Sequence, residues 1–364
     1  MTQHMKINGR RDNGEGTKIF KRKDRDLYRS NIYISGQRRT INGKTKKDVR
    51  AKIKALLKGQ AAGIEITNQT TGEYLLGWHN QDSTLKPKTI HSRRVCVNRL
   101  APFIGDIRLN DLKANNISLA YKKLSSTLSE SSVKQTHAVL SKALSDAYKQ
   151  GLIEHNPMHR LLSKPTVTRK EMDTLTADEA KTLLAINDSW TPMFTLMLYT
   201  GMRLGEVLGL RWKDVDLNGG IIKVRQTCSQ VPGIGIVYGE PKTDKSKRDI
   251  PIHATVIDAL KNTARVIGPR NLVFPNEQGE GMYPSRPHNA LQKALKSIGV
   301  DRNVRLHDLR HTAASLMIQQ GASVKAVQDI LGHADYSTTM NVYVHSDQEM
   351  LAEGTATLEK LFGT

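Results

Sequence analysis

Apolar positions along the chain follow first a strand-like and then a helical period. Over residues 18–41 they come in short runs with partial alternation, in which Tyr28, Ile32 and Ile34 fall on one side. Strands are expected at 18–23, 27–34 and 37–41, with Ser35-Gly36 and Asn42-Gly43 as turns. Thr45 then reads as an N-cap with Asp48 three residues on. Val49, Ile53, Leu56 and Leu57 make a helical stripe that ends near Gly59. These signals predict a three-stranded sheet backed by one helix within residues 1–65.

From residue 66 the period is helical. Thr70-Thr71-Gly72 opens a helix that reaches Trp78, and further helices are expected at 89–103, 116–124 and 131–151. In the last of these Val133, Ala138, Val139, Leu140, Leu144 and Tyr148 form the apolar stripe. Gly151 ends it and Asn156-Pro157 stops the chain. Residues 66–165 therefore read as a helical domain. Residues 163–173 hold Pro165, mixed charge and few apolar side chains, so a linker, 166–173, is expected before a third unit at 174–364. In that unit Thr176-Ala177-Asp178-Glu179 starts a helix and 192–199 is an apolar helix. Residues 221–226 and 247–252 alternate like strands, and the chain after His253 is mainly helical. The fold class is multidomain α+β, mainly α with small β-sheets.

Charge sharpens this picture. The 364 residues carry 55 Lys+Arg against 35 Asp+Glu, a net +20. Residues 1–65 alone hold 18 basic and 6 acidic residues. A surplus of this size points to a polyanionic partner, and its concentration on a small sheet suits the major groove of DNA. A disordered basic arm is the alternative for this segment; the helix stripe and turn signals favour a folded unit. Two cysteines, Cys96 and Cys228, give no disulfide framework and fit a reducing cytoplasm. No run of 18 apolar residues predicts a membrane span, and the polar N-terminus has no apolar signal core.

Candidate chemistry gathers in the third unit. Arg203, in Thr200-Gly201-Met202-Arg203-Leu204-Gly205-Glu206, follows an apolar helix and can clamp non-bridging phosphate oxygens, with Glu206 holding it in place. His307 and Arg310, in Arg305-Leu306-His307-Asp308-Leu309-Arg310-His311, are three apart and share a helix face. Arg310 can take a second pair of phosphate oxygens, and His307 can hydrogen-bond the same phosphate or assist proton transfer. Asp308 and His311 are expected to face elsewhere, His311 either buttressing the site or packing. His333 follows Leu331-Gly332 and suits donation to a phosphate oxygen near neutral pH, or it caps a helix end. Tyr343 lies ten residues further on. Its phenol, with a reference pKa of about 10, becomes a nucleophile only beside cations or a base. Tyr336 competes with it but lies only three residues from His333. Lys242 sits in a polar stretch, 239–251, that reads as a β-hairpin. From its tip a lysine can reach a DNA groove and protonate a departing 5′-oxygen, with Lys245 and Lys247 as rivals.

Two arginines, two histidines and a tyrosine in this order resemble the active site of the tyrosine recombinases of the phage integrase family. The resemblance covers residues 174–350. It implies a mixed α/β catalytic domain, makes 66–165 similar to the family's helical core-binding domain, and makes 1–65 similar to the arm-binding domain of integrases from phages and conjugative transposons. It implies that Lys242 is the catalytic lysine and that Tyr343 forms a 3′-phosphotyrosine and frees a 5′-hydroxyl. Bond energy is then conserved, and no cofactor, metal or nucleotide is expected. The implied partners are double-stranded DNA at core-type and arm-type sites, a homo-tetramer on a four-way junction, and accessory DNA-bending or directionality proteins. The helical and catalytic domains are expected to clamp the duplex, with a C-terminal tail, 347–362, docking in trans or in cis.

A non-catalytic DNA-binding regulator would be equally basic but would not need Tyr343. A type IB topoisomerase would not need a separate basic module. A metal nuclease is disfavoured because no Asp/Glu/His cluster has ligand spacing. A chromosome-dimer resolvase usually lacks an N-terminal module, so residues 1–65 favour a mobile-element integrase that also excises.

Overall fold

The computed structural model describes residues 18–21, 26–34, 37–61, 69–81, 84–168, 173–241, 243–263 and 265–332. The chain divides into two compact units, residues 1–169 and 170–364. The division falls inside the segment that low apolar content marks as a linker. No helix among the described residues is long and apolar enough to cross a membrane.

In the first unit an antiparallel sheet runs β1 (Phe20–Lys21), β2 (Tyr28–Ile34), β3 (Gln37–Gly43) in that order. Behind it lies α1 (Lys46–Ala61). Ile32 from the sheet and Val49 and Ile53 from the helix form a small core, with Tyr28, Ile41 and Leu57 packed against it. Asn42-Gly43 is not a turn, because both residues pair with β2, opposite Arg29 and Tyr28. The chain reverses one step later, where the Lys44 amide donates to Asp48 and the Asp48 amide donates to Thr45. The helix ends at Ala61, two residues past Gly59.

The sheet's other face carries cross-strand pairs. Arg29 is opposite Asn42, Asn31 opposite Thr40, and Tyr33 opposite Arg38. Arg29 donates to Asn42 at 2.9 Å and Thr40 to Asn31 at 2.8 Å. Alternation thus leaves one face apolar and the other basic, polar and aromatic.

A second cluster of the same unit is built by α2 (Thr71–Trp78), α3 (Pro87–Ile104), α4 (Ala114–Ser125) and α5 (Glu130–Lys149). Thr70 and Glu73 form a reciprocal capping box at the start of α2. Leu100, Ile104, Ile117, Leu140 and Leu144 are fully buried. Tyr148 departs from the expected stripe and is exposed; the buried line continues instead through Ala143 and Ala147. Small residues there admit Tyr74, whose hydroxyl donates to the Ala143 carbonyl at 2.7 Å.

The second unit begins with α6 (Ala177–Ala185), α7 (Thr191–Thr200) and the short α8 (Leu204–Leu208). Then come β4 (Val215–Asp216), β5 (Ile221–Val224), β6 (Thr227–Val231), β7 (Gly235–Gly239) and β8 (Arg248–Pro251). Among the described residues four helices follow: α9 (Ala254–Lys261), α10 (Ser285–Ser297), α11 (Leu306–Gln319) and α12 (Val324–Leu331). α7 is apolar on nearly all sides and is the centre of the core, with Met193, Phe194, Leu196 and Met197 buried.

The stretch 239–251 is not a hairpin. β7 pairs with β6 in one sheet and β8 pairs with β5 in another, with a 3-10 turn at Asp244–Ser246 between them. The hairpin of this region is β6–β7. Charged and glycine-rich residues hid that pairing, because a loop tip and a crossing between sheets have the same polar composition.

Gly201 fixes the geometry that the site needs. It ends α7 at φ +59°, and a Cβ there would lie 2.3 Å from Leu331 Cδ2. Only glycine combines the left-handed turn with this close approach. The ends of α7 and α12 therefore abut, and α11 packs beside both.

Candidate active site

The chain turns through Met202 and reaches Arg203, the N-cap of α8. Glu206, three residues on, folds back over that end. Its carboxylate accepts from the Arg203 amide at 3.0 Å and from Arg203 Nη1 at 2.9 Å. Arg203 Nη2 donates to the Gly332 carbonyl at 3.3 Å. The Arg203 side chain keeps 36% of its surface exposed, whereas Glu206 keeps 3%.

Arg310, on α11, is buried to 1% exposure. Its Nη1 donates to the Gly201 carbonyl at 2.7 Å and its Nη2 to the Leu331 carbonyl at 2.8 Å. Arg248, at the start of β8, is buried as well. Its Nε donates to the Ile330 carbonyl at 2.6 Å, while Nη1 and Nη2 grip the two Glu206 oxygens at 3.2 and 2.9 Å. Arg203, Arg310 and Arg248 thus converge on Glu206 and on the last turn of α12. Burial, then the positive charges of Arg203 and Arg248, push the Arg310 pKa down to about 9, against the pull of Glu206. Burial works to raise the Glu206 carboxyl, but the hydrogen bonds and charge of Arg248, followed by Arg203, hold it below the usual range.

Sequence spacing related Arg203 to Glu206, and the family resemblance brought Arg310 to the same site, but neither pointed to Arg248. Its signal was the alternation of β8, which sets Arg248 on the same side as the buried Ile250 and Ile252. A basic residue on the apolar side of a strand is the mark of a buried ion pair.

His307 also faces this cluster. Partial burial, then His311, Arg310 and Arg203, lower its pKa to about 4, so it is neutral at physiological pH. His311 does not point elsewhere: its ring meets His307 edge-on, with centroids 4.8 Å apart and planes at 90°. It buttresses the His307 ring. Asp308 does face away. It is buried and accepts from the amide, Nε and Nη2 of Arg305 at the helix start.

Lys242, His333, Tyr343, Tyr336 and the tail 347–362 lie outside the described residues. Their chain neighbours place the ends of two of these stretches. Gly332, which precedes His333, takes φ +66°, and a Cβ on it would meet Arg248 Cδ at 3.0 Å and the Lys245 carbonyl at 3.2 Å. The segment following Lys242 therefore packs against the turn that leads to His333. Of the rival lysines, Lys247 is paired with Glu240 at 2.8 Å. Among the described residues no group of three or more His, Cys, Asp or Glu side chains converges as metal ligands do.

Comparison with known proteins agrees with this geometry: residues 172–350 match the phage integrase family. These residues are a phage integrase family domain. A XerC-like tyrosine recombinase of Caldanaerobacter subterraneus is 27% identical over 364 aligned positions, covering 89% of this chain and 92% of that protein. The integrase of Staphylococcus phage L54a is 34% identical over 175 residues, 44% of this chain and 49% of that integrase. The solved Tn1549 transposon integrase, in complex with a circular intermediate DNA, superposes with a TM-score of 0.69 at 21% identity. It covers 79% of this chain and 99% of that structure, and the likeness establishes the shared fold.

The integrase domain should lose stability in acid through its histidines. The pKa values of His307 and His311 are lowered in the folded chain, so between about 6.5 and about 4 the unfolded state binds more protons. Stability is then full above the unfolded value and falls as pH drops through that window. Thermal midpoints measured from pH 7 to 4.5 should decline, and His307→Gln with His311→Gln should flatten the decline. An unchanged slope in the double variant would refute the assignment.

Proposed function

We propose that this chain is the integrase of a phage or conjugative transposon and that it also excises the element. It acts as a tyrosine-type site-specific recombinase. The observation that carries this reading is the surplus positive charge at the end of α12. Arg203 and Arg248 pair with Glu206, and Arg310 joins them at the Leu331 carbonyl, two residues before His333 in the sequence, with Tyr343 ten residues further on.

In this reading Arg203 offers its exposed edge to the non-bridging oxygens of one phosphodiester. Arg310 supplies the second N–H of its terminal nitrogens, and neutral His307 hydrogen-bonds the same group. His333 donates to a phosphate oxygen. Tyr343 passes its phenolic proton to solvent as its Oη attacks phosphorus. The bond to the 5′-oxygen breaks, and Lys242 protonates that oxygen. The protein is left joined to a 3′-phosphate, and a 5′-hydroxyl from a partner duplex reverses the step. Fixed positive charge stabilises the extra negative charge of the pentacoordinate phosphate.

The sheet of residues 1–65 is the arm-type DNA-binding domain. Its basic, polar and aromatic face, with Arg29, Asn31, Tyr33 and Arg38, has the donors and acceptors that read base edges. Residues 66–165 are the core-binding domain, 166–173 the linker and 174–364 the catalytic domain and tail. Four copies assemble on two DNA sites, helped by accessory DNA-bending or directionality proteins, in the cytoplasm of a bacterial host. The XerC-like relative favours a second reading, a chromosome-dimer resolvase, which would have no use for a separate arm-binding sheet.

A nicked suicide duplex made from the element's ends, incubated in EDTA, should trap an SDS-resistant adduct on Tyr343. Tyr343→Phe should abolish the adduct and leave DNA affinity within about threefold, since one hydroxyl contributes little to an interface dominated by phosphate contacts. Parallel loss of binding would count against a nucleophile.

Deleting residues 1–65 should leave cleavage of the short core duplex intact and weaken assembly on longer duplexes that include arm sequences. Equal affinity for long sites with and without this segment would favour the resolvase.

A further inference from the structure

Arg248 stands outside the set of residues that touch the phosphate in the reading above, yet it has more partners in the site than any of them. Its side chain is 7% exposed. Burying a guanidinium carries a large desolvation penalty unless every face is paired. Here the pairing is nearly complete: both Glu206 oxygens, the Ile330 carbonyl and the Ser246 carbonyl at 3.2 Å. These partners belong to α8, the end of α12 and the turn before β8.

The consequence is a chain of contacts. Arg203 is tied to Glu206 by its amide and Nη1, but to α12 only by the long 3.3 Å contact from Nη2. The position of Arg203 relative to α12 is therefore set mainly through Glu206, then Arg248, then the Ile330 carbonyl. Gly332 is fitted around the same side chain, since a Cβ there would lie 3.0 Å from Arg248 Cδ and 3.1 Å from its Nη1. His333 is the next residue in the sequence.

We propose that Arg248 is a positioning residue for strand cleavage, which fixes Arg203 and the end of α12 against each other by holding Glu206 and the Ile330 carbonyl at once. The inference rests on the recombinase reading. Arg248 does not touch the phosphate; it acts through Glu206 and the α12 end. A planar fork with a separate Nε donor makes these contacts together, and a lysine ammonium does not.

The test is single-turnover cleavage of a suicide duplex by the full-length chain, with DNA affinity and thermal melting run beside it. Arg248→Met should fall by about 100-fold in cleavage rate, the scale on which an ångström of misplacement acts, with affinity within about threefold. Arg248→Lys keeps a charge for Glu206 and should fold, yet cleave at least about tenfold more slowly. The double variant Arg248→Met with Glu206→Gln should be no slower than the slower single variant, because both changes break one tether.

A pH profile supplies a readout that loss of packing would not move. The charged groups facing Glu206 are Arg203 at the start of α8, Arg248 on β8 and Arg310 on α11. Without Arg248, burial of the carboxyl dominates and Glu206 takes up a proton closer to neutrality. The Arg248→Met rate, relative to wild type, should therefore rise with pH, and the rise should vanish when Glu206 is Gln. Wild-type rates in Arg248→Lys, multiplying losses in the double variant, or a flat ratio across pH would each overturn the proposal. A wild-type chain that forms no Tyr343 adduct would instead bring down the recombinase reading.

Discussion

Three consecutive carbonyls at the end of α12, those of Ile330, Leu331 and Gly332, each accept from a different arginine: Arg248, Arg310 and Arg203. The last carbonyls of a helix have no partner within it and form the negative end of its dipole. Three guanidinium groups would repel one another in a common pocket. The helix end and the Glu206 carboxylate let them share it, and Gly332 caps the helix in the left-handed conformation. The rest of the site follows from this contact. α7 must end on a glycine so that α12 can approach, α11 must present Arg310 between them, and β8 must carry an arginine where its alternation calls for an apolar residue.

The cluster carries more positive than negative charge. One carboxylate faces three arginines, and Arg310 is pushed down to about 9, first by burial and then by its two cationic neighbours. A bound phosphodiester supplies one negative charge, and its pentacoordinate transition state supplies more. In the proposed recombinase reading, that imbalance favours the reacting state over the ground state. His307, kept neutral by partial burial and nearby cations, adds a hydrogen-bond donor without adding to the repulsion. A fixed, dry set of donors is the arrangement in which electrostatic stabilisation is strongest.

Much of this was legible from the sequence, and the reasons are local. Capping signals such as Thr70 with Glu73 and Thr176 with Glu179 mark helix starts through contacts only three residues apart. Arg203 and Glu206, and His307 and Arg310, are close in sequence, so one helical turn is enough to relate them. Contacts made across the fold were not legible. Arg248 reaches Glu206 across 42 positions and Ile330 across 82, and no spacing rule spans such distances. Asn42-Gly43 carried the composition of a turn, but pairing with β2 decided its conformation. The polar stretch 239–251 read as a hairpin because composition reports exposure and says nothing of which sheet a strand joins.

The central claim is that the arginines at the α12 end answer the charge of the scissile phosphate. Its most direct test replaces that phosphate with an uncharged methylphosphonate and compares wild type with Arg310→Ala in single-turnover cleavage. With the negative charge gone, the penalty for losing Arg310 should shrink by at least about tenfold relative to the natural phosphate, since charged hydrogen bonds are the strong ones. An equal penalty on both substrates would contradict the account and leave Arg310 as a brace between the ends of α7 and α12.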